Sequence, residues 1–301
     1  MVTEFLQQLI NGLAFGSILA LIALGYTMVY GILRFINFAH GDVFMIGAFA
    51  GYYITPKVSA FLPTPSIWST LVVMAGSMAI CAALGILIER FAYRPLRYSP
   101  KLAVLITSIG ISLFLEYGGQ FVFGAAPKPF PKLIPEYSIG TGGLSVTSNQ
   151  IIVLAVTVVL LIVLRFIVLK TKTGMAMRAL AFNPDGAALM GVNINVIISF
   201  TFGLGSALAA AAGILFAVLY PAVDPLMGIM PGLKAFCAAV LGGIGNLPGA
   251  ALGGLIIGTV ETFVSAYVSS TYRNAIAFAV LILILLIKPS GLLGKKDVEK
   301  V

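Results

Sequence analysis

The most polar stretch inside an apolar region of this sequence is Asn37-Phe38-Ala39-His40-Gly41-Asp42. A histidine two residues from a carboxylate is the chemistry of a proton relay. At membrane depth an ionised side chain costs at least about 2.5–3.5 kcal/mol, so it must face protein or water. The plainer reading gives His40 a backbone hydrogen bond and makes Asp42 the cap of a returning helix. Glu116 and Glu261 also lie deep in apolar segments, where a carboxylate either lines a path or makes an interhelical hydrogen bond. Arg165, near a helix end, reads as a snorkelling side chain. One histidine and two distant cysteines, Cys81 and Cys237, do not make a standard zinc site. No G-x-x-x-x-G-K-[ST] loop is present, so the chain has no phosphate cradle of that type.

A second constellation lies in the basic loop 170–191. Asn183 suits a helix N-cap, Pro184 the first helical position, Asp185 the positive helix end, and Gly191 the stop. The spacing predicts a short helix over 184–190 carrying Leu189 and Met190. A helix of that length is not stable alone in water and must pack on something. Its own bundle, the lipid interface and a cytoplasmic partner are the options. Gly186→Pro is expected to be mild, because first-turn amides lack intrahelical acceptors.

The elements that position these residues are set by composition. Of 301 residues, 60% are hydrophobic and 9% charged, against about 25% charged in soluble domains; the mean hydropathy is +1.08. Continuous apolar runs at 151–164 and 275–287 exclude the alternating strands of a β-barrel. A helix of about 20 apolar residues crosses the hydrocarbon core, so the fold class is an all-α, polytopic, single-domain membrane bundle over 1–301. Full spans are expected near 6–32, 67–89, 102–123, 150–169, 192–220 and 272–288. Regions 35–56 and 233–267 are apolar but interrupted by Gly, Pro, Asn and charge, and read as broken or re-entrant hairpins. Met1–Gln8 lacks a basic segment, so the first span is expected to be retained.

The net charge of +8 is concentrated in 90–101, 170–190 and 288–301. That is a positive-inside distribution and places those loops in the cytoplasm, with no role for nucleic acid. The proline-rich loop 124–149 then faces outward. A parallel repeat of span, broken hairpin and span follows, with the amino terminus cytoplasmic. Non-helical backbone at membrane depth is tolerated where it is buried or lines a cavity, and broken helices in transporters often form the substrate path. Asn37, His40, Asp42, Gly242, Gly243, Asn246 and Glu261 are therefore the candidates for a translocation path. The competing reading is tight packing, since Gly245, Gly249 and Gly253 recur every four residues. Segments 37–42 and 236–246 are expected to approach each other near the bundle centre.

Ala20-Leu21-Ile22-Ala23-Leu24-Gly25-Tyr26 through Ile36-Asn37-Phe38-Ala39-His40-Gly41 resembles the first-span signature of permease subunits of branched-chain amino acid ABC importers. Lys234-Ala235-Phe236 with Val240-Leu241-Gly242-Gly243-Ile244-Gly245 resembles a second signature. The loop from Arg178-Ala179 to Gly191-Val192-Asn193 and the closing Lys288-Pro289-Ser290-Gly291-Leu292-Leu293-Gly294 also fit. The resemblance implies an ABC importer permease fold in a bacterial inner membrane, importing leucine, isoleucine or valine. It implies a second permease of the LivM type, two cytoplasmic ATPases of the LivG and LivF types, and a periplasmic or lipid-anchored binding protein. No cofactor is then held by this chain, which is no enzyme itself; ATP and Mg belong to the ATPases. Residues 178–191, with Arg178, Asn183, Pro184, Asp185, Leu189, Met190 and Gly191, become the coupling loop. Permeases for urea and short amides carry similar signatures, and an ion-coupled carrier or channel is the rival class.

Overall fold

The computed structural model describes residues 2–141 and 144–294. The lysines of the tail beyond residue 294, which belong to the expected cytoplasmic charge, lie outside the described residues. Eleven α-helices carry the described chain: α1 Val2–Leu33, α2 His40–Val58, α3 Ile67–Ile88, α4 Lys101–Phe123, α5 Ser148–Lys170, α6 Lys172–Phe182, α7 Pro184–Leu189, α8 Ile194–Leu219, α9 Ile229–Gly242, α10 Leu247–Tyr267 and α11 Arg273–Ile287. Seven stretches among the described residues are long and apolar enough to cross a membrane, beginning in α1, α3, α4, α5, α8, α10 and the turn before α11. A π-helical turn, Glu89–Tyr93, extends α3. Four short strands form two antiparallel pairs: β1 Lys128–Pro129 with β4 Ala222–Val223, and β2 Ser138–Thr141 with β3 Leu144–Thr147.

Lipid sorts the helices. α1 and α8 are buried over most of their length, whereas α4, α5 and α11 present rows of exposed apolar side chains such as Phe114, Val159 and Leu286. A helix apolar all round belongs in such a core. α1 runs along α10 and α8 along α3; α9 packs on α1 and α2 on α8. The backbones touch where side chains vanish. A Cβ on Gly258 would lie 2.2 Å from the Cα of Gly16, and α1 meets α8 with the Gly25 and Gly205 backbones opposed. Small residues at such seams allow the dispersion contacts that drive helix association in lipid.

The start of α1 lies at the outer face. Gln7 accepts from the Ser145 amide (2.9 Å), and Asn11 accepts from Gln150 at the head of α5 (2.7 Å). This corrects the cytoplasmic amino terminus expected from the sequence: the first span runs inward. It also corrects the repeat. α1–α2–α3 corresponds to α8–α9–α10 in packing, but the first runs inward and the second outward, so the repeat is inverted. The cause of the error is the region 35–56, read as a broken hairpin. Residues 40–58 are instead one unbroken helix, and the break precedes it, at Arg34 with a φ of 54°. Glycines at 41, 47 and 51, which look like interruptions in the sequence, seat α2 against its neighbours; a Cβ on Gly47 would strike Ala210.

Gly258→Val is expected to destabilise the purified protein by at least about 1–3 kcal/mol through overpacking at the α1–α10 seam. Gly110→Ala, on the lipid face of α4 with open space at its Cβ, should leave thermal unfolding unchanged or slightly raised. Comparable melting of the two variants would refute the seam.

Candidate functional site

After α1 the chain turns at Arg34 and climbs back into the bundle as segment 35–39 before α2 begins. Asn37 is buried and its Oδ1 accepts from the Tyr93 hydroxyl at 2.6 Å. His40, also buried, lies edge-on to Tyr26 with ring centroids 4.7 Å apart. Its Nε2 points at Gly25, roughly two helical turns above the cytoplasmic end of α1. No hydrogen-bond partner meets that nitrogen. Asp42, in the first turn of α2, accepts from Ser112 on α4 at 2.5 Å, and Ser112 lies 3.5 Å from Glu116. A carboxylate there is favoured by the positive end of α2.

The symmetry-related element comes from the other face. After β4 the chain descends through 224–228 and α9 begins against α2, where a Cβ on Gly41 would lie 2.7 Å from the Gly228 carbonyl oxygen and 3.1 Å from the Cα of Gly232. The amino ends of α2 and α9 thus meet inside the bundle. Phe236 joins them, with Tyr26 at 6.2 Å and Phe38 at 6.4 Å between ring centroids.

Only part of the expected approach of 37–42 to 236–246 is present. Gly242, Gly243 and Asn246 lie beyond the junction, at the cytoplasmic end. The Leu292 and Leu293 amides donate to Leu241 (2.8 Å) and Gly242 (3.0 Å), and Asn246 donates to the Leu293 carbonyl (2.7 Å). Gly243, at φ 101°, lies against Gly294. Asn246 also caps α10 through the Gly249 amide at 3.0 Å. The turn 243–246 is therefore a closure of the cytoplasmic face rather than the mid-depth tip of a hairpin from outside. α10, with 21 residues, makes the full return crossing.

Glu261 sits in an ion triad whose other members the site reasoning left out. Its Oε1 accepts from Lys234 on α9 at 2.7 Å and from Arg273 at the head of α11 at 2.5 Å. Glu261 is fully buried and Lys234 nearly so, while Arg273 is 39% exposed. The Phe15 ring lies beneath both cations, 5.9 Å from Lys234 Nζ and 5.2 Å from the Arg273 guanidinium. Truncating one partner of such a buried pair typically costs about 3–5 kcal/mol. An acid deep in a span was the available signal that cations must lie nearby. A second network was missed: fully buried Glu89 takes Arg94 and Arg97, each at 3.0 Å, and Ser199 at 2.6 Å, tying α3 to α8 at the cytoplasmic edge.

The basic loop holds two helices, because Thr171 caps α6 through Gly174 (3.0 Å) before Asn183 caps α7 through Gly186 (3.0 Å). Pro184 opens α7, Asp185 sits in its first turn, and Gly191 follows at φ 83°. The helix ends at Leu189, with Met190 as its C-cap. Ala187 faces the bundle, whereas Phe182, Leu189 and Met190 are 90%, 88% and 86% exposed on the cytoplasmic face. Arg178 donates to the Val168 carbonyl and holds α6 to the end of α5. The Gly186 amide is the group that Asn183 caps, so Gly186→Pro would delete that bond; the expectation of a mild effect is overturned.

These helices define a polytopic membrane permease with an inverted repeat, two helices whose amino ends meet inside it, and a short capped helix that displays Leu189 on the cytoplasmic side. The chain belongs to the family of branched-chain amino acid transport system permease components, whose model matches residues 8–285. It is 43% identical to the high-affinity branched-chain amino acid transport permease LivH of Salmonella typhimurium, over 99% of this chain and 98% of that one. It is 42% identical to BraD, the corresponding permease of Pseudomonas aeruginosa, over 99% and 98%. The ribose import permease RbsC of Haemophilus influenzae is 26% identical over 96% and 87%. Among solved structures, PsaBC from Streptococcus pneumoniae in complex with Fab shares the fold, with a TM-score of 0.50 at 14% identity, covering 96% of this chain and 97% of that one.

With Cys81 and Cys237 replaced by alanine, single cysteines at Ala39 and Ile229 test whether the junction opens. Small polar reagents should label both in one state of the transport cycle and neither in another. Labelling in every state, or in none, would make the junction a static packing contact.

Proposed function

We propose that this chain is the membrane-spanning permease subunit of an ATP-driven importer for branched-chain amino acids in a bacterial inner membrane. The observation that supports this reading most directly is the pairing of full-length similarity to LivH and BraD with α7. Here is a helix capped for rigidity, six residues long, that displays its largest apolar side chains to the cytoplasm. Such a helix gains nothing from its own bundle through Leu189. A groove on an ATPase subunit would cover it and transmit motion through α6 to α5 and α8, against which the loop packs.

In this reading two cytoplasmic ATPases of the LivG and LivF types hold ATP and Mg, and this chain catalyses no reaction. A second permease of the LivM type completes the path, and a periplasmic or lipid-anchored binding protein delivers substrate to the outer face. The path runs through the junction of α2 and α9, lined by Asn37, His40 and Asp42. Because α2 and α9 run from the junction toward opposite faces, rocking one repeat against the other would expose the junction alternately, as inverted repeats do in other transporters. Gly242, Gly243 and Asn246 then belong to the inner closure.

Leu189→Asp places a charge on the docking face, near the unfavourable carboxyl end of a helix. The variant should insert normally into the membrane, lose its ATPase subunits on purification and abolish uptake of labelled leucine. Asn183→Ala, which removes a cap worth roughly 0.5–2 kcal/mol, should weaken both partially. Normal ATPase retention and uptake by Leu189→Asp would refute the docking site.

A further inference from the structure

A cavity of about 420 Å3 opens at the outer face between α1, α5, α10 and α11. That size lies within the range of small-ligand sites, about 300–1,000 Å3. Its wall is polar in a chain that is otherwise mostly apolar. Gln8 and Asn11 come from α1, Gln150 from α5, and Thr262 and Ser265 from α10, with Arg273 at one side. The amides are held in place, since Asn11 accepts from Gln150 at 2.7 Å and donates to Gln8 at 3.2 Å. Arg273 is fixed through its Nε on Glu261 and through its stacking on Phe15, while 39% of its side chain stays exposed.

Charge decides what the cavity takes. Glu261 meets both Lys234 and Arg273, and Arg273 is the charged side chain that lines the cavity. Lys234 is buried behind Glu261, whereas Arg273 is the member of the triad that reaches the cavity. A guanidinium held by Nε retains its terminal N–H groups, shared here with Tyr220 of the cavity wall, and its planar fork matches a carboxylate. The Ser265 and Thr262 hydroxyls provide acceptors for an ammonium, and Ala14, Ala266 and Leu219 provide apolar wall.

The geometry points to this cavity as an outer subsite for a carboxylate-bearing solute, with Arg273 receiving the carboxylate. Resting on the reading of the chain as an amino acid permease, that solute is the transported amino acid before it enters the α2–α9 junction. Arg273 then has two functions at once. It neutralises Glu261, which anchors α9 to α10, and it offers the bilayer's outer edge a fixed site for an anion.

The test uses the assembled importer, with Cys81 and Cys237 replaced by alanine and Ala266→Cys placed on the cavity wall. The rate of modification by a small neutral maleimide is measured with leucine, with isovalerate, which has the carboxylate but no ammonium, and with isoamylamine, which has the converse. Leucine and isovalerate are expected to slow labelling several-fold at millimolar concentrations, and isoamylamine to slow it far less than isovalerate. Arg273→Gln should abolish the protection by isovalerate. Protection by isoamylamine equal to that by isovalerate, or none by isovalerate, would overturn the subsite, and both are read with Arg273 intact. Protection by isovalerate without protection by leucine would overturn its assignment to the transported solute. Failure of the importer reading itself would appear separately, as absent leucine uptake by the unsubstituted complex.

Discussion

No unpaired backbone group can face lipid, and that constraint organises this molecule. Two segments, 35–39 and 224–228, leave helical structure inside the bundle and must be walled off by protein. α1 and α8 provide the wall, crossing at Gly25 and Gly205 where the backbones come together. Both helices are consequently buried along most of their length, and the task of facing lipid passes to α3, α4, α5 and α11. The glycine seam between α1 and α10 lets the second repeat close around the first, so the two broken elements end in contact at Gly41 and Gly228.

That arrangement places polar chemistry where lipid cannot reach it. Asp42 can occupy the start of α2 because Ser112 meets it and the helix end favours its charge. Lys234 can sit on α9 because Glu261 of α10 meets it, and the same carboxylate holds the head of α11. The half-helix α9 is thereby pinned at its outer half by ions and at its inner end by hydrogen bonds from 292–293. Its junction with α2 is held by neither. The junction is a close backbone contact at Gly41 and Gly228, without an ion pair to lock it.

Much of this was legible in the sequence, for physical reasons that differ by element. Helix α7 was readable because capping is local: Asn183, Pro184 and Asp185 act within one turn. The clustering of Arg and Lys in 90–101 and 170–190 was readable because charge placement is one-dimensional. Region 35–56 was not, because glycine marks both a break and a close contact. Gly47 serves the second purpose, and the residue that breaks the chain, Arg34, carries no such mark. From that single misreading came the reversed amino terminus and the parallel repeat. The triad was half legible. Glu261 announced a buried charge, but Lys234 and Arg273 lie 27 and 12 residues away, and only the fold brings them together.

What separates an importer permease from a self-sufficient carrier is the source of work, and flux in proteoliposomes tests that directly. Labelled leucine should accumulate only when this chain is reconstituted with its partner permease and ATPases, with ATP on the cytoplasmic side and the binding protein outside. The chain alone, given a proton or sodium gradient, should show no accumulation. Gradient-driven uptake by the chain alone would contradict the account.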